Sequence, residues 1–266
     1  MADKARECAL YVTRRVWEQG AYSNIEIGTA VKKYGLSGVD RAFCVALVNG
    51  AIERMYSLDF LISKASGREI SAIDKELLAI LRLGFLQLFY MKVPDMAACN
   101  ESVALVKNKG KRGFVNAVMR SACRARKSLT EQLNGADEHI KASLSKDICS
   151  LLQRQYAENA ADIMASFYNS NALCLRVNTL KTTVAALNAQ LKSEGAETEV
   201  QGKALLVLNG ADKALEAVNS GLAFVQGLSS QEAVEALDAK EGQTVIDVCA
   251  CPGGKTLGAA LDMGGK

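Results

Sequence analysis

The sequence predicts a multidomain chain: an all-α bundle, then a small α/β subdomain, then the beginning of a doubly wound α/β domain. Three observations lead there. Only two prolines, Pro94 and Pro252, interrupt 266 residues, so long stretches are free to be helical. No strand alternation precedes residue 170. Beyond it, short β-type runs alternate with helical ones, the pattern of an α/β unit. The expected boundaries are 1–128 for the helical domain, 129–170 for a helical linker, 171–226 for the small α/β subdomain and 227–266 for the start of the last domain.

Each element has a local reason. Ala5, Cys8, Ala9, Val12 and Val16 recur at helical spacing in residues 4–20, which end at Gly20. Asp40 is placed to cap a helix beginning near Arg41, with Phe43, Ala46, Leu47 and Ile52 turned inward. Residues 58–64 form a short amphipathic stretch. Ser71 and Asp74 have the spacing of a helix start for the segment Ile73–Lys92. That segment is apolar nearly all round, as in a buried central helix, and Pro94 is expected to end it. Residues 97–107 and 112–127 follow as helices separated by a polar turn at 108–111. Residues 127–136 break the pattern, and a helical pair fills 143–168. Next come a strand at 173–177, a helix at 184–194 stopped by Gly195, a strand at 204–208, a helix at 214–220 and a strand at 222–225. A helix at 229–238 leads to Thr244–Val248, whose β-branched apolar run predicts a buried strand of a parallel sheet.

Composition excludes several classes. Hydrophobic residues make up 49% of the chain, enough for a substantial core, yet no apolar run reaches the length of a membrane span. The N-terminus, MADKARECAL, lacks the layout of a signal peptide. Eight cysteines show neither C-x-x-C pairs nor a disulfide framework, so free thiols in a reducing cytoplasm are expected. A single histidine, His139, argues against a Cys/His metal site, and no metal is expected.

The net charge of +3 conceals an asymmetry. Residues 1–128 carry 21 Lys+Arg against 12 Asp+Glu, and residues 129–266 carry 11 against 17. Between Ser102 and Leu129 there are eight basic residues and no acid: Lys107, Lys109, Lys111, Arg112, Arg120, Arg124, Arg126 and Lys127. Two readings stand side by side, a solvated helix face and a phosphate-contacting surface. On the second, Lys107, Lys109, Lys111, Arg112, Arg120 and Arg124 are the candidate RNA-binding residues.

The chemistry-bearing motif follows residue 248: Cys249-Ala250-Cys251-Pro252-Gly253-Gly254-Lys255-Thr256. A strand that runs through a glycine turn into a helix is where α/β folds bind nucleotides. Glycines let a ligand approach the backbone, and the helix start offers free N–H groups. A phosphate-binding Walker loop matches Gly254-Lys255-Thr256, but its first glycine would fall on Cys249. The dinucleotide fingerprint, begun at Gly253, would need glycine where Lys255 stands.

What remains is D-x-C-x-x-P-G-G-K-T, carried by Asp247, Cys249, Pro252, Gly253, Gly254, Lys255 and Thr256. It resembles the S-adenosylmethionine loop of RNA (cytosine-5) methyltransferases of the Sun/Fmu (RsmB) type, with Cys251 in place of the family's second alanine. Gln226, Ser229, Ser230 and Gln231 match the family's lead-in, and Gly227 replaces its usual Asp. Leu175–Lys181 resembles its R-V-N strand. The first half resembles the NusB-like RNA-binding domain fused to these enzymes, at Asp40-Arg41-Ala42-Phe43, Leu47-Val48-Asn49-Gly50, the segment 81–88, Asn100-Glu101-Ser102-Val103 and the segment 116–120. Helix cores and caps account for most of those residues better than ligand contacts do.

The resemblance implies a NusB-like bundle followed by a small α/β subdomain and the beginning of a Rossmann-like class I methyltransferase fold. It implies S-adenosyl-L-methionine as cofactor, held by Cys249, Ala250, Cys251, Pro252, Gly253, Gly254 and Lys255. The implied reaction is methyl transfer to carbon 5 of a cytosine in 16S ribosomal RNA, by a monomer with no membrane partner. In the family a cysteine thiolate activates the base, from P-C and T-C motifs downstream of the cofactor loop. No catalytic residue is therefore assigned here, the nucleophile being expected beyond Lys266. The acid that holds a cofactor ribose, ~20 residues past the glycines, is expected there too. These points predict a fragment of a longer enzyme, inactive by itself. The alternative is a non-catalytic NusB-type RNA-binding module with a vestigial methyltransferase tail.

Overall fold

A computed structural model describes residues 3–168 and 172–265. The chain divides into two compact units, Met1–Tyr168 and Asn169–Lys266.

The first unit is helical throughout. Its elements are α1 (Lys4–Gln19), α2 (Ser23–Tyr34), α3 (Gly38–Glu53), α4 (Met55–Ser66), α5 (Lys75–Tyr90), α6 (Asp95–Leu105), α7 (Arg112–Arg124), α8 (Arg126–Asn134), α9 (Glu138–Lys141), α10 (Lys146–Tyr156) and α11 (Ala160–Ser166). The central helix is α5, in which every residue from Leu77 to Leu88 is buried. Phe85 stacks on Phe89 with ring centroids 5.7 Å apart. Gly84 lets neighbouring helices come close: a Cβ there would sit 2.5 Å from Ser102 Oγ and 2.7 Å from Met119. The charge inside this apolar helix is matched, because Arg82 donates twice to Asp59 at 2.7 Å.

Several expected boundaries move. The α5 cap is Asp74 itself, which accepts from the amides of Glu76 and Leu77 at 3.0 and 3.3 Å, while Ser71 lies in a preceding 3-10 turn. Asp40 is not a cap, since α3 starts at Gly38 and holds Asp40 in its first turn, where an acid favours the helix dipole. Pro94 does not end α5; it is the N-cap position of α6. Residues 127–136, expected to break the pattern, lie mostly in α8 (Arg126–Asn134), with Leu129 buried. Helix α2 was not anticipated, because only Ala30 and Val31 of its residues are buried and no apolar stripe marks it.

Residues 138–168 are tied to α4 by polar contacts. Ser57 Oγ donates to the Ile140 carbonyl at 2.6 Å, and Ser143 Oγ accepts from the amides of Tyr56 and Ser57. Tyr168 donates to the Ala142 carbonyl at 2.5 Å, and its ring stacks under Arg54.

The second unit contains β1 (Leu173–Val177), α12 (Val184–Ser193), β2 (Glu197–Gln201), β3 (Ala204–Asn209), α13 (Ala211–Asn219), β4 (Ala223–Val225), α14 (Leu228–Leu237) and α15 (Gly254–Asp262). The four strands form an antiparallel sheet in the order β2-β3-β1-β4. Leu175, Val177, Leu205 and Val207 pack with Leu187 and Leu191 of α12. Strand β2 was not anticipated: in Glu-Thr-Glu-Val-Gln only Thr198 is buried.

The expected strand at Thr244–Val248 is absent. The segment has no strand assignment, and Ile246 and Val248 are 81% and 95% exposed. A parallel strand exists only as one rung of a ladder, and none of the four strands pairs with this segment.

Candidate cofactor loop and nucleic-acid interface

The loop after Val248 is built by backbone geometry. The Cys251–Pro252 peptide is cis, and Gly253 has φ +102°, a value L side chains rarely adopt. Gly253 is the N-cap position of α15, with no side-chain cap bond, so the first amides of that helix are free for a ligand. Asp247 closes the loop from outside. Its Oδ2 accepts from Thr256 Oγ1 at 2.7 Å and its Oδ1 from the Cys249 amide at 3.1 Å. The Thr256 hydroxyl, and after it the Cys249 amide, hold the Asp247 carboxyl below the usual carboxylate range. Asp247 thus fastens the loop's first residue to its last.

The lead-in residues brace the same loop. Gln226 is 5% exposed and donates through Nε2 to the Gly254 carbonyl at 3.0 Å. Its Oε1 is buried without a partner. Gln231, also buried, donates to the carbonyls of Gln226 at 3.0 Å and Leu175 at 3.2 Å, tying α14 to β1. Arg176 of β1 is 3% exposed, and its Nη2 lies 3.2 Å from both carboxylate oxygens of Asp262 at the far end of α15. The Arg of the R-V-N strand therefore anchors the helix that follows the loop. Asp262 was not singled out from the sequence, since its partner lies 86 residues away.

Cys249, Ala250, Cys251, Pro252, Gly253, Gly254 and Lys255 all line one open cavity of about 220 Å3, with Val225, Gln226, Gly227, Ser230 and Asp247. Ligand pockets usually enclose ~300–1,000 Å3, so this cavity has room for only part of a nucleoside-sized ligand. The residues present fit such a group: free helix-start amides, glycines that admit the backbone, and an orphaned acceptor on Gln226. Cys249 and Cys251 are exposed and carry no bond to a base that would mark either as a nucleophile.

The basic residues lie on α7, at the start of α8 and in the connection between α6 and α7. Lys107, Lys109, Arg120, Arg124 and Lys127 are exposed. Lys111 is bound to Asp74 at 2.8 Å, Arg126 to Asp95 at 2.9 Å, and half-buried Arg112 to the Val106 carbonyl at 2.9 Å. Arg120 donates to Asn116 on the same helix at 3.0 Å. Lys107, Lys109, Arg124 and Lys127 make no ion pair among the described residues, so they are the uncompensated cations of the run. No helix among the described residues is long and apolar enough to cross a membrane.

Comparison with known proteins agrees with this layout. Residues 3–124 match the NusB family, and residues 148–211 match the RsmF/B-like methyltransferase ferredoxin-like domain. The probable ribosomal RNA small subunit methyltransferase B of Synechocystis sp. is 32% identical over 98% of this chain and 61% of its own length. The Bacillus subtilis protein of the same name is 29% identical over 98% of this chain and 60% of its own. The solved structure of PH0851 covers 100% of this chain and 62% of its own, with TM-score 0.66 at 21% identity, a likeness of fold. The chain thus carries a NusB-family domain followed by an RsmF/B-like ferredoxin-like domain, aligns along 98% of its length with proteins named ribosomal RNA small subunit methyltransferase B, and spans about three fifths of the length of the curated relatives it matches.

Proposed function

We propose that this chain provides the RNA-binding domain and part of the cofactor site of an S-adenosylmethionine-dependent ribosomal RNA methyltransferase. The finer reading is transfer to carbon 5 of a cytosine in 16S RNA, in the cytoplasm. The observation that carries it is the loop at 247–256, which combines a glycine at φ +102° with an uncapped helix start. The names of the aligned relatives support the same reaction class.

The cofactor would supply an electrophilic methyl group. The chain's own residues bind and orient it. The amides that open α15 after Gly253 would donate to the carboxylate end of an amino-acid ligand. Asp247 keeps the loop closed by its bonds to Thr256 and Cys249, and Gln226 holds the Gly254 carbonyl so that the helix start faces the cavity. On the other unit, Lys107, Lys109, Arg124 and Lys127 supply phosphate contacts.

Calorimetric titration with S-adenosylhomocysteine tests the cofactor part, on this chain and on a full-length relative. Saturable binding to the relative, lost at least tenfold when the residue equivalent to Gly253 becomes Val, is expected. No binding by either protein would sink the proposal. Converting Lys107, Lys109 and Arg124 to Gln should reduce the salt slope of RNA binding by up to ~3. An unchanged slope would leave those residues as a solvated face. A second reading, a NusB-type RNA-binding module without catalysis, is favoured by the NusB match and the separate basic surface. It predicts RNA binding with no affinity for S-adenosylhomocysteine.

A further inference from the structure

The thiols of Cys99 on α6 and Cys123 on α7 lie 3.3 Å apart. A disulfide bond is about 2.0 Å long, so a small side-chain rotation brings the two sulfurs to bonding distance. Other cysteines lack this combination of proximity and access. Cys8 and Cys44 are both 0% exposed. Cys249 and Cys251 are exposed but stand two residues apart in the tight loop. Within the 99/123 pair the roles differ. Cys99 is 5% exposed, whereas Cys123 is half-buried and open to a small reagent. Burial pushes the Cys99 thiol up, as do its bond to Cys123 and the charge of Asp95, while Arg120 opposes them. Arg120 and Arg124 are exposed on either side of Cys123 in the same helix, an environment that attracts an anionic reagent.

We propose that Cys99 and Cys123 form a reversible disulfide by exchange with an anionic low-molecular-weight disulfide of the glutathione type. The Cys123 thiolate attacks one sulfur of the reagent, forming a mixed disulfide and releasing one reagent thiolate. That thiolate takes the Cys99 proton. The Cys99 thiolate then attacks Cys123 Sγ and expels the second reagent thiolate, which is protonated by water. Two protein thiols are oxidised and one reagent disulfide is reduced to two thiols. In a reducing compartment such a bond is transient and senses redox state. It would staple α6 to α7 across a separation of 24 residues that contains Lys107, Lys109, Lys111 and Arg112. The basic connection would become a covalently closed loop.

The test treats the whole chain with glutathione disulfide, quenches it with acid and maps peptides under non-reducing conditions. The expected product links the Cys99 and Cys123 peptides, lacks two hydrogens and disappears with dithiothreitol. The melting temperature of the helical unit should rise by roughly 5–10 °C on oxidation and return on reduction. Cys123→Ser should abolish the linked product. If that variant does not fold, alkylation of the native protein decides instead: both thiols should be protected together after oxidation. The proposal is overturned if Cys99 and Cys123 stay free, if Cys123 keeps a stable glutathione adduct beside a free Cys99, if the link joins other cysteines, or if melting falls on oxidation.

Discussion

Phe85 and Val248 both sit in strongly apolar stretches, yet Phe85 is fully buried and Val248 is 95% exposed. The difference lies in how helices and strands satisfy their backbones. A helix closes its hydrogen bonds within itself, so α5 exists as soon as its neighbours cover it on every side. A strand closes its bonds only against another strand, and 244–248 has none among the described residues. The first unit gathers most of its buried apolar residues in one large core, with a small second cluster around Met164, whereas the second unit divides a smaller set between its sheet core and a cluster of Ala239, Ala259 and Met263.

Mutations probe that contrast, from large effects to small. Phe85→Ala should cost the helical unit about 3–5 kcal/mol in urea unfolding, because a full ring is removed from a close-packed core. A loss under about 1 kcal/mol would mean that the α5 core is loose. Arg176→Met should cost the second unit about 1.5–3 kcal/mol, since Asp262 and the Gly258 carbonyl lose a charged donor. Arg176→Lys should recover part of that loss. If both variants unfold like the parent, the anchor between β1 and α15 is without energetic weight.

Asp74→Ala should cost about 1 kcal/mol through loss of the α5 cap. The same carboxyl sets a pH dependence. Its pKa is lowered by the Lys111 ammonium first and by the Leu77 amide next. A depressed folded value means that its contribution is complete above the ordinary value near ~3.9 and disappears as pH falls through the folded value. The Asp74→Ala penalty should therefore be constant from neutral pH to about pH 5 and shrink below it. A penalty that shrinks already between pH 7 and 6 would contradict the assignment. Val248→Ala should change stability by no more than about 0.5 kcal/mol, as for an ordinary surface site. A loss of 2 kcal/mol or more would show that 244–248 is packed in solution.

Much of the helical unit was legible in the sequence because its signals are local. Gly20 ends α1 in the left-handed conformation, and the all-round apolar face of α5 announces a buried helix. The boundaries that moved share one cause. Ser71, Asp40 and Pro94 each suit the role expected of them, but the register of the neighbouring turn decides which residue caps and which lies in a first turn. Helix α2 and strand β2 were illegible because they bury too few side chains to impose a period. At the loop, residues 247–256 were visible as a motif, and Gln226 and Gln231 as a match beside it. Their purpose was not, because it consists of bonds to carbonyls of Gly254, Leu175 and Gln226 across the fold.

The family resemblance, the helical character of the first half and the position of the glycine loop are readable in the sequence, since all three rest on residue types at short fixed spacings. Folding alone brings Arg176 to Asp262, binds Lys111 to Asp74 while Lys107 and Lys109 make no ion pair among the described residues, and sets Cys99 against Cys123. Those are pairings between residues from 24 to 86 positions apart, and no local pattern encodes which distant side chain the packing brings within a bond length.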